Sequence, residues 1–461
     1  MNSSNIICAT ASDVSDEPVI VSAEAYISET YAREEENKLW SNVWQIACRE
    51  EDIPNPGDFY TYDILNESII VTRTADDVIV AYHNVCPHRG RRLTAGCGHT
   101  QRFYCRYHGW RWNLEGNNEH VLDKDDWQGA LTEEHLRLKS VKTGTWAGYV
   151  FINLNPSCEP LEQYLETLPH WLDPFEIEKM RYKWRQWLYF PCNWKVAIEA
   201  FIESYHVGAT HTQLLRFSDG HSWSRAEGRH SCMGTIPRDN SGRANAGQGT
   251  TVAQSKTGQD HRKILAEFMS NLWETVGLGA CTTQTIVDAA KQMVEVLPDD
   301  ASAQEAAGKM LELACKADAA RGVTWPQIDP QHFAQSGIDW HVFPNSIILH
   351  GITFVLGYRA RPNGHDPDSC IFEVYVLERF PEGEQPAIPE NVYQPDISEE
   401  KWRLVLCQDF QNMPEVQRGM KSSAFSGAIP SPLQEKSVIN FHRNLAQYMG
   451  CGAPRPLGTK N

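Results

Sequence analysis

Residues 86–110 read "CPHRGRRLTAGCGHTQRFYCRYHGW", with one residue between Cys86 and His88 and two between Cys105 and His108. Two thiolates and two imidazoles form the ligand set of a small metal site, so zinc and an iron–sulfur cluster are the first candidates. Each pair stands next to a glycine and turn-compatible residues, so two hairpin loops can converge on one ion or cluster. His83, His99 and His120 lack such pairing and read as surface residues.

The elements that must hold these loops are β-strands. From Gly57 to about Leu154 the chain runs in short β-rich segments such as "DFYTYDI", "SIIVTRT", "VIVAYHNV" and "GYVFINL", separated by Asn, Asp and Gly turn signals. Before them, "AYISETYAREEENKLWSNVW" has helical spacing; after them, Pro156 and "SCEPLEQ" mark an end. The expected division is residues 1–39 as tail and helix, 40–155 as an all-β domain, and 156–461 as a second, longer domain. That domain opens with a strand, "KWRQWLYFPCNW", and a helix, "KVAIEAFIESYHV", in which Phe201, Ile202 and Tyr205 form part of a buried face. It resumes β texture at "DWHVFPNSIILHGITFVLGYRARP" and ends in helix. An inserted segment of about 237–335 starts with a Gly-, Ser-, Asn- and Gln-rich stretch over 237–260, followed by three helical patterns within 261–321.

The whole chain narrows the function classes. Its 461 residues suffice for two or three domains and a sizeable core. No apolar run approaches the ~18 residues of a membrane-spanning helix. Lys and Arg total 42 against 59 Asp and Glu, and a formal charge of -17 disfavours nucleic acid and anionic membrane as partners. No Lys or Arg precedes Arg33 and no continuous apolar stretch opens the chain, so a leader peptide does not fit and the cytoplasm is the expected compartment. The 13 cysteines are scattered, as reduced thiols are, rather than packed into a disulfide framework.

Zinc modules favour C-x2-4-C pairs, whereas each loop here offers one thiolate and one imidazole. That division lets a [2Fe–2S] cluster place Cys86 and Cys105 on one iron and His88 and His108 on the other, which is Rieske ligation. The competing reading is a zinc loop or four unrelated residues. The motifs C-P-H-R-G and C-R-Y-H-G-W resemble the signature of the Rieske non-haem iron aromatic-ring-hydroxylating oxygenases, large or alpha subunit. The resemblance covers nearly the whole chain, from Trp44 to Met420, and is weakest over 237–335.

This resemblance implies an α+β protein in which the Rieske domain precedes a helix-grip (START/Bet v1-like) catalytic domain, a curved antiparallel sheet around a long helix. It also implies a mononuclear Fe(II) held by two His and one carboxylate, with open positions for O2 and substrate. In "NWKVAIEAFIESYHVGATH" the family pattern of carboxylate, His and second His assigns His206 and His211 as ligands. On a continuous helix these would lie about 140° apart, so the helix must bulge or end between them, with Gly208 as the residue that permits it. In "CQDFQNMPEVQRGM" the place of the third ligand falls on Asp409, with Glu415 as competitor; the family usually has an acid just before it, where this chain has Gln408. Glu203, three residues before His206 on the same helix face, stands where the family more often has Asp, and Ala200 where many relatives have Asn. The resemblance makes Glu203 the link between a neighbouring subunit's His108 and His206.

By the same resemblance the chain is a terminal oxygenase that inserts one or both atoms of O2 into an aromatic or alicyclic substrate. NAD(P)H electrons come through a separate reductase or ferredoxin, since no G-x-G-x-x-G unit or plant-type ferredoxin Cys set is present. Trimers of alpha subunits, with or without beta subunits, are expected. Phe201, Ile202, Leu214, Leu215 and Phe217 are the expected apolar pocket, with Arg216 or Arg359 available to an anionic substrate. A Rieske electron carrier and a non-catalytic ligand-binding protein are the readings from other classes. The first needs only the Rieske domain, and the second dispenses with His206, His211 and Asp409.

Overall fold

A computed structural model describes residues 16–217, 222–235 and 260–458. Of the polar stretch at 237–260, all but Asp260 lies outside them. The chain divides into two compact units, Arg33–Tyr164 and the remainder.

Within Arg33–Tyr164 the β-rich segments become β1 (Gln45–Arg49), β2 (Asp58–Ile64), β3 (Glu67–Arg73), β4 (Ile79–His83), β5 (Cys97–His99), β6 (Phe103–Tyr104), β7 (Arg111–Trp112), β8 (Asn118–His120), β9 (Ser140–Trp146) and β10 (Tyr149–Asn153). They form a seven-stranded sheet in the order β1-β10-β9-β4-β3-β2-β5 and a small sheet β6-β7-β8. Every pairing is antiparallel. Tyr82, Phe103, Trp110, Trp112 and Leu138 make an apolar core that encloses Cys86 and Cys105. The cluster loops are therefore rooted in packed side chains.

The other unit is built on β11 (Arg181–Phe190), β12 (Ser222–Glu227), β13 (His230–Thr235), β14 (Asp339–Val342), β15 (Ser346–His350), β16 (Phe354–Pro362), β17 (Cys370–Glu378) and β18 (Asn391–Tyr393). Their order is β12-β13-β14-β15-β16-β17-β11-β18, antiparallel except for the parallel edge strand β18. One face of this curled sheet grips helices α6 (Glu399–Met420) and α7 (Lys436–Met449). Phe190 and Phe372 pack on Phe410 of α6, with ring centroids 4.9 and 5.7 Å away, and His341 packs on Phe441 of α7 at 5.1 Å. This is the α+β helix-grip arrangement that the resemblance implied.

Within 261–321 the insertion supplies three helices, α3 (His261–Thr275), α4 (Gln284–Val296) and α5 (Ala303–Ala320). Each starts at a side-chain cap: Asp260, Thr283, and Ser302 in a capping box with Glu305. Their apolar stripes share a core of Leu265, Ile286, Met293, Met310 and Trp325. Among the described residues no helix is long and apolar enough to cross a membrane.

The helix expected through "KVAIEAFIESYHV" is broken. Helix α1 (Trp194–Glu199) stops, residues 200–206 turn, and only Val207–Thr210 (α2) is helical again. Tyr205, expected on a buried face, is 56% exposed because it sits in that turn.

Candidate metal centres

The two cluster loops are folded alike. Cys86 N–H donates to the Arg91 carbonyl and Gly90 N–H to the Cys86 carbonyl, both at 2.9 Å; Cys105 N–H donates to Trp110 at 2.9 Å and Gly109 N–H to Cys105 at 3.0 Å. Gly90 and Gly109 close the loops at φ 74° and 75°, in the left-handed region that favours glycine. The loops are equal in length, and the histidine takes the third place in one and the fourth in the other. Hence the unequal spacing in the motif.

His88 and His108 approach to 4.6 Å between ring centroids, and His88 stacks on Trp110 at 5.0 Å and 6°. Both Nδ1 atoms are buried without a hydrogen-bond partner. Cys86 and Cys105 are buried, and without metal the Cys86 thiol is pushed up to about 11, chiefly by burial with the Cys105 thiol adding to it. Burial, then His108 and Arg89, pull His88 below its ordinary value. Two buried thiols and two imidazole nitrogens without a hydrogen-bond partner among the described residues are the donor set a [2Fe–2S] cluster requires.

In the other unit His206, His211 and Asp409 each offer a ligand atom, all within 4.8 Å of one another. His211 Nε2 lies 2.9 Å and His206 Nε2 3.5 Å from Asp409 Oδ1. Both imidazoles are held from behind. His206 Nδ1 is 2.6 Å from Glu203 Oε1, and His211 Nδ1 is 2.8 Å from Gln408 Oε1. An Nδ1–H given to each oxygen leaves the Nε2 lone pairs directed at the same place as Asp409, and an Fe(II) site needs that tautomer. Burial opposes a charge on His206, but Glu203 and then Asp409 outweigh it and raise its pKa.

The backbone break makes this geometry. The Glu203 carboxylate accepts from the backbone N–H of Tyr205 and of His206 in the turn that precedes α2, while its other oxygen holds the imidazole. Glu203 is therefore buried in the turn and not on a helix face. The second helix ends between the two ligands as expected, with His211 at φ −112° and ψ 50°. Gly208 itself lies within α2, and its φ is not positive.

Asp409 is buried on α6, whereas Glu415 is exposed and paired with Arg418 at 2.6 Å. Gln408 was legible only as a departure from the family's usual acid. In the fold it orients His211 and exchanges hydrogen bonds with Gln213, at 2.8 and 3.3 Å.

Of the apolar candidates, Phe201, Ile202 and Phe217 are buried, Leu214 is half-buried and Leu215 is 39% exposed. Phe201 stacks on Tyr358 at 4.1 Å, and Phe217 lies 5.2 Å from Phe268 of α3. Arg359 is paired with Glu373 at 2.7 Å and Arg216 is exposed over the Phe217 ring.

A family profile described as "Rieske [2Fe-2S] domain" matches residues 43–130, and one described as "Ring hydroxylating alpha subunit (catalytic domain)" matches 175–451. The chain is similar to the carnitine monooxygenase oxygenase subunit of Escherichia coli (strain K12), 28% identical over 200 residues, which are 41% of this chain and 52% of that protein. It is also similar to the large oxygenase component of salicylate 5-hydroxylase from Ralstonia sp, 34% identical over 201 residues, 41% of this chain and 47% of that one. The chain thus spans about half the length of the curated relatives it matches. Among solved structures, a quaternary ammonium Rieske monooxygenase in complex with L-carnitine superposes with a TM-score of 0.63 at 17% identity, over 95% of this chain and 98% of that one. At that identity the likeness is one of fold.

Proposed function

Since this chain belongs to the ring-hydroxylating alpha-subunit family and carries its Rieske domain, we propose that it is a terminal oxygenase component that hydroxylates an organic substrate. Residues 40–155 form the cluster domain and residues 156–461 the catalytic domain. Cys86, His88, Cys105 and His108 hold the cluster, and His206, His211 and Asp409 hold the iron. When bound, the cluster supplies one-electron transfer and the ferrous iron supplies O2 activation beside the substrate. The observation that carries this reading is the double orientation of the His pair, in which Glu203 and Gln408 take both Nδ1 atoms and leave both Nε2 atoms facing Asp409.

Glu203 is a positioning residue. Its Oε1 accepts from His206 and retains a second lone pair, which can accept from a neighbouring subunit's His108 in a trimer. Electrons originate from NAD(P)H through a separate reductase or ferredoxin, and the protein works in the cytoplasm, with or without beta subunits. The relatives' named substrates divide between carnitine and salicylate. An aromatic or alicyclic body suits the buried Phe201, Ile202 and Phe217 near the His pair.

Product analysis under 18O2 with a reconstituted reductase, alongside iron analysis, tests the reading. Labelled hydroxyl in the product and about three irons per chain are the expected results; about two irons and no labelled product across a substrate panel would instead indicate an electron carrier or binding protein. Glu203→Gln should slow single-turnover cluster oxidation at least about tenfold with both sites filled. An unchanged rate would leave Glu203 with its hydrogen bonds in the turn alone.

A further inference from the structure

Strand register puts a second carboxylate on the sheet face that grips the helices. Asp339 pairs with Leu349, Leu349 with Leu356, and Tyr358 stands two residues beyond Leu356, so Asp339 and Tyr358 point to the same side. His341, two residues after Asp339, packs on Phe441 of α7, which identifies that side as the inner one. Asp339 is 4% exposed, and its Oδ1 is buried with no hydrogen-bond partner among the described residues.

The other described buried carboxylates, Glu35 among them, all have partners. Glu373 is paired with Arg359 and Arg361, Asp318 with Arg321 and the Trp325 indole, Glu227 with Arg225, and Glu378 with Lys183. Glu203 and Asp409 face the His pair. No Lys, Arg or His comes within ion-pair distance of Asp339 among the described residues.

The titratable groups around it are the acids Tyr358 and Cys281 and, two residues along the same strand face, His341, which burial holds neutral with a pKa lowered to about 4 and whose Nε2 lies 3.0 Å from the Pro344 carbonyl. The Tyr358 phenol is held up by burial and then by Cys281, Asp339 and Asp409, the last a member of the metal triad. Burial and then Asp339 push the Cys281 thiol up to about 12. Phe201, stacked on Tyr358 at 4.1 Å and 18°, adds an aromatic wall. A buried carboxyl in such a place carries no charge unless a cation arrives to offset it.

We propose that Asp339 is the counter-ion for an ammonium group on the substrate, so that this chain hydroxylates amines or quaternary ammonium compounds with an apolar body. The inference rests on the oxygenase reading and gives its substrate class. Burial alone holds the Asp339 carboxyl well above the carboxylate range. It therefore waits as the neutral acid, and binding of the cation ionises it, releasing one proton to solvent as the ammonium–carboxylate pair forms.

The test uses the iron-loaded full chain and calorimetric titration at pH 7 in two buffers of different ionisation enthalpy. The probes are benzyltrimethylammonium and neopentylbenzene, a cation and its neutral isostere. The cation should bind at least about tenfold tighter with release of a proton. Asp339→Asn, which mimics the neutral acid in shape, should lose both the preference and the proton, and Asp339→Glu should restore part of each. Equal binding of the probes, absence of cation binding, or a preference that persists in Asp339→Asn overturns the proposal. Iron content of the same samples separates the two levels. A chain without mononuclear iron refutes the oxygenase reading itself, while a fully loaded chain without the preference refutes only the role of Asp339.

Discussion

The four cluster residues lie between Cys86 and His108 on two loops of one length and one hydrogen-bond pattern, whereas the second site joins a broken helix near His206 to a residue of α6 far later in the chain. The charge around them differs as well. Arg89, Arg91, Arg92 and Arg106 flank the cluster motifs, while Glu203 holds His206 Nδ1 and, with Glu199, acts on the carboxyl of Glu435. The cluster loops get their geometry from local turns and a few packed aromatics. The mononuclear site depends on residues that only the folded sheet brings together, so its supporting hydrogen bonds are the more sensitive to substitution.

The largest contrast is expected from Asp409→Ala. It should lower iron from about three to about two per chain, abolish hydroxylation and leave the Rieske spectrum intact, because the sites share no ligand. Glu415→Ala, at an exposed ion pair, should change none of these. Iron loss from both sites in Asp409→Ala would break the claim that they are built independently.

Gln408→Ala comes next. It leaves His211 Nδ1 and Gln213 without their shared acceptor, and iron affinity, measured by chelator competition, should fall about 10–100-fold. Undiminished affinity would show that the His211 ring is held by packing alone.

Glu435 sharpens the charge side of the comparison. Burial, then Glu203 and Glu199, lift its pKa to about 7. A carboxyl raised on folding contributes stability that is complete below its unfolded value, about 4.3, and is lost as pH rises through about 7. Glu435→Gln removes that loss, so thermal unfolding should show the variant more stable than wild type by about 1–2 kcal/mol at pH 8, after discounting for partial solvent screening, and nearly equal at pH 4. A difference independent of pH would mean that Glu435 does not titrate among these acids.

The smallest effect is expected at the cluster loops. Gly90→Ala meets open space but needs a left-handed backbone, so unfolding of the variant should show a loss of about 1 kcal/mol with the cluster retained. Loss of the cluster would show that these loops have less tolerance than their packing suggests.

The pairing of Cys86 with His88 and of Cys105 with His108 could be read from the sequence because residues that share one hairpin loop leave a short, fixed spacing. The helices of 261–320 could be read for a related reason: their caps and apolar stripes are local. His206, His211 and Asp409 became readable through resemblance to a family, since spacing by itself does not connect residues so far apart. What the tertiary structure decided is the chemistry around them. Nothing in "AIEAFIESYHV" announces a helix break, because no Gly or Pro marks it; the break holds because the Glu203 carboxylate captures two backbone N–H groups there. Gln408 gained its role only when α6 came to lie beside His211. Asp339 is one acid among 59 in the sequence. Its lack of a partner is a property of the packed interior, since an unpaired charge is costly only where water has been excluded.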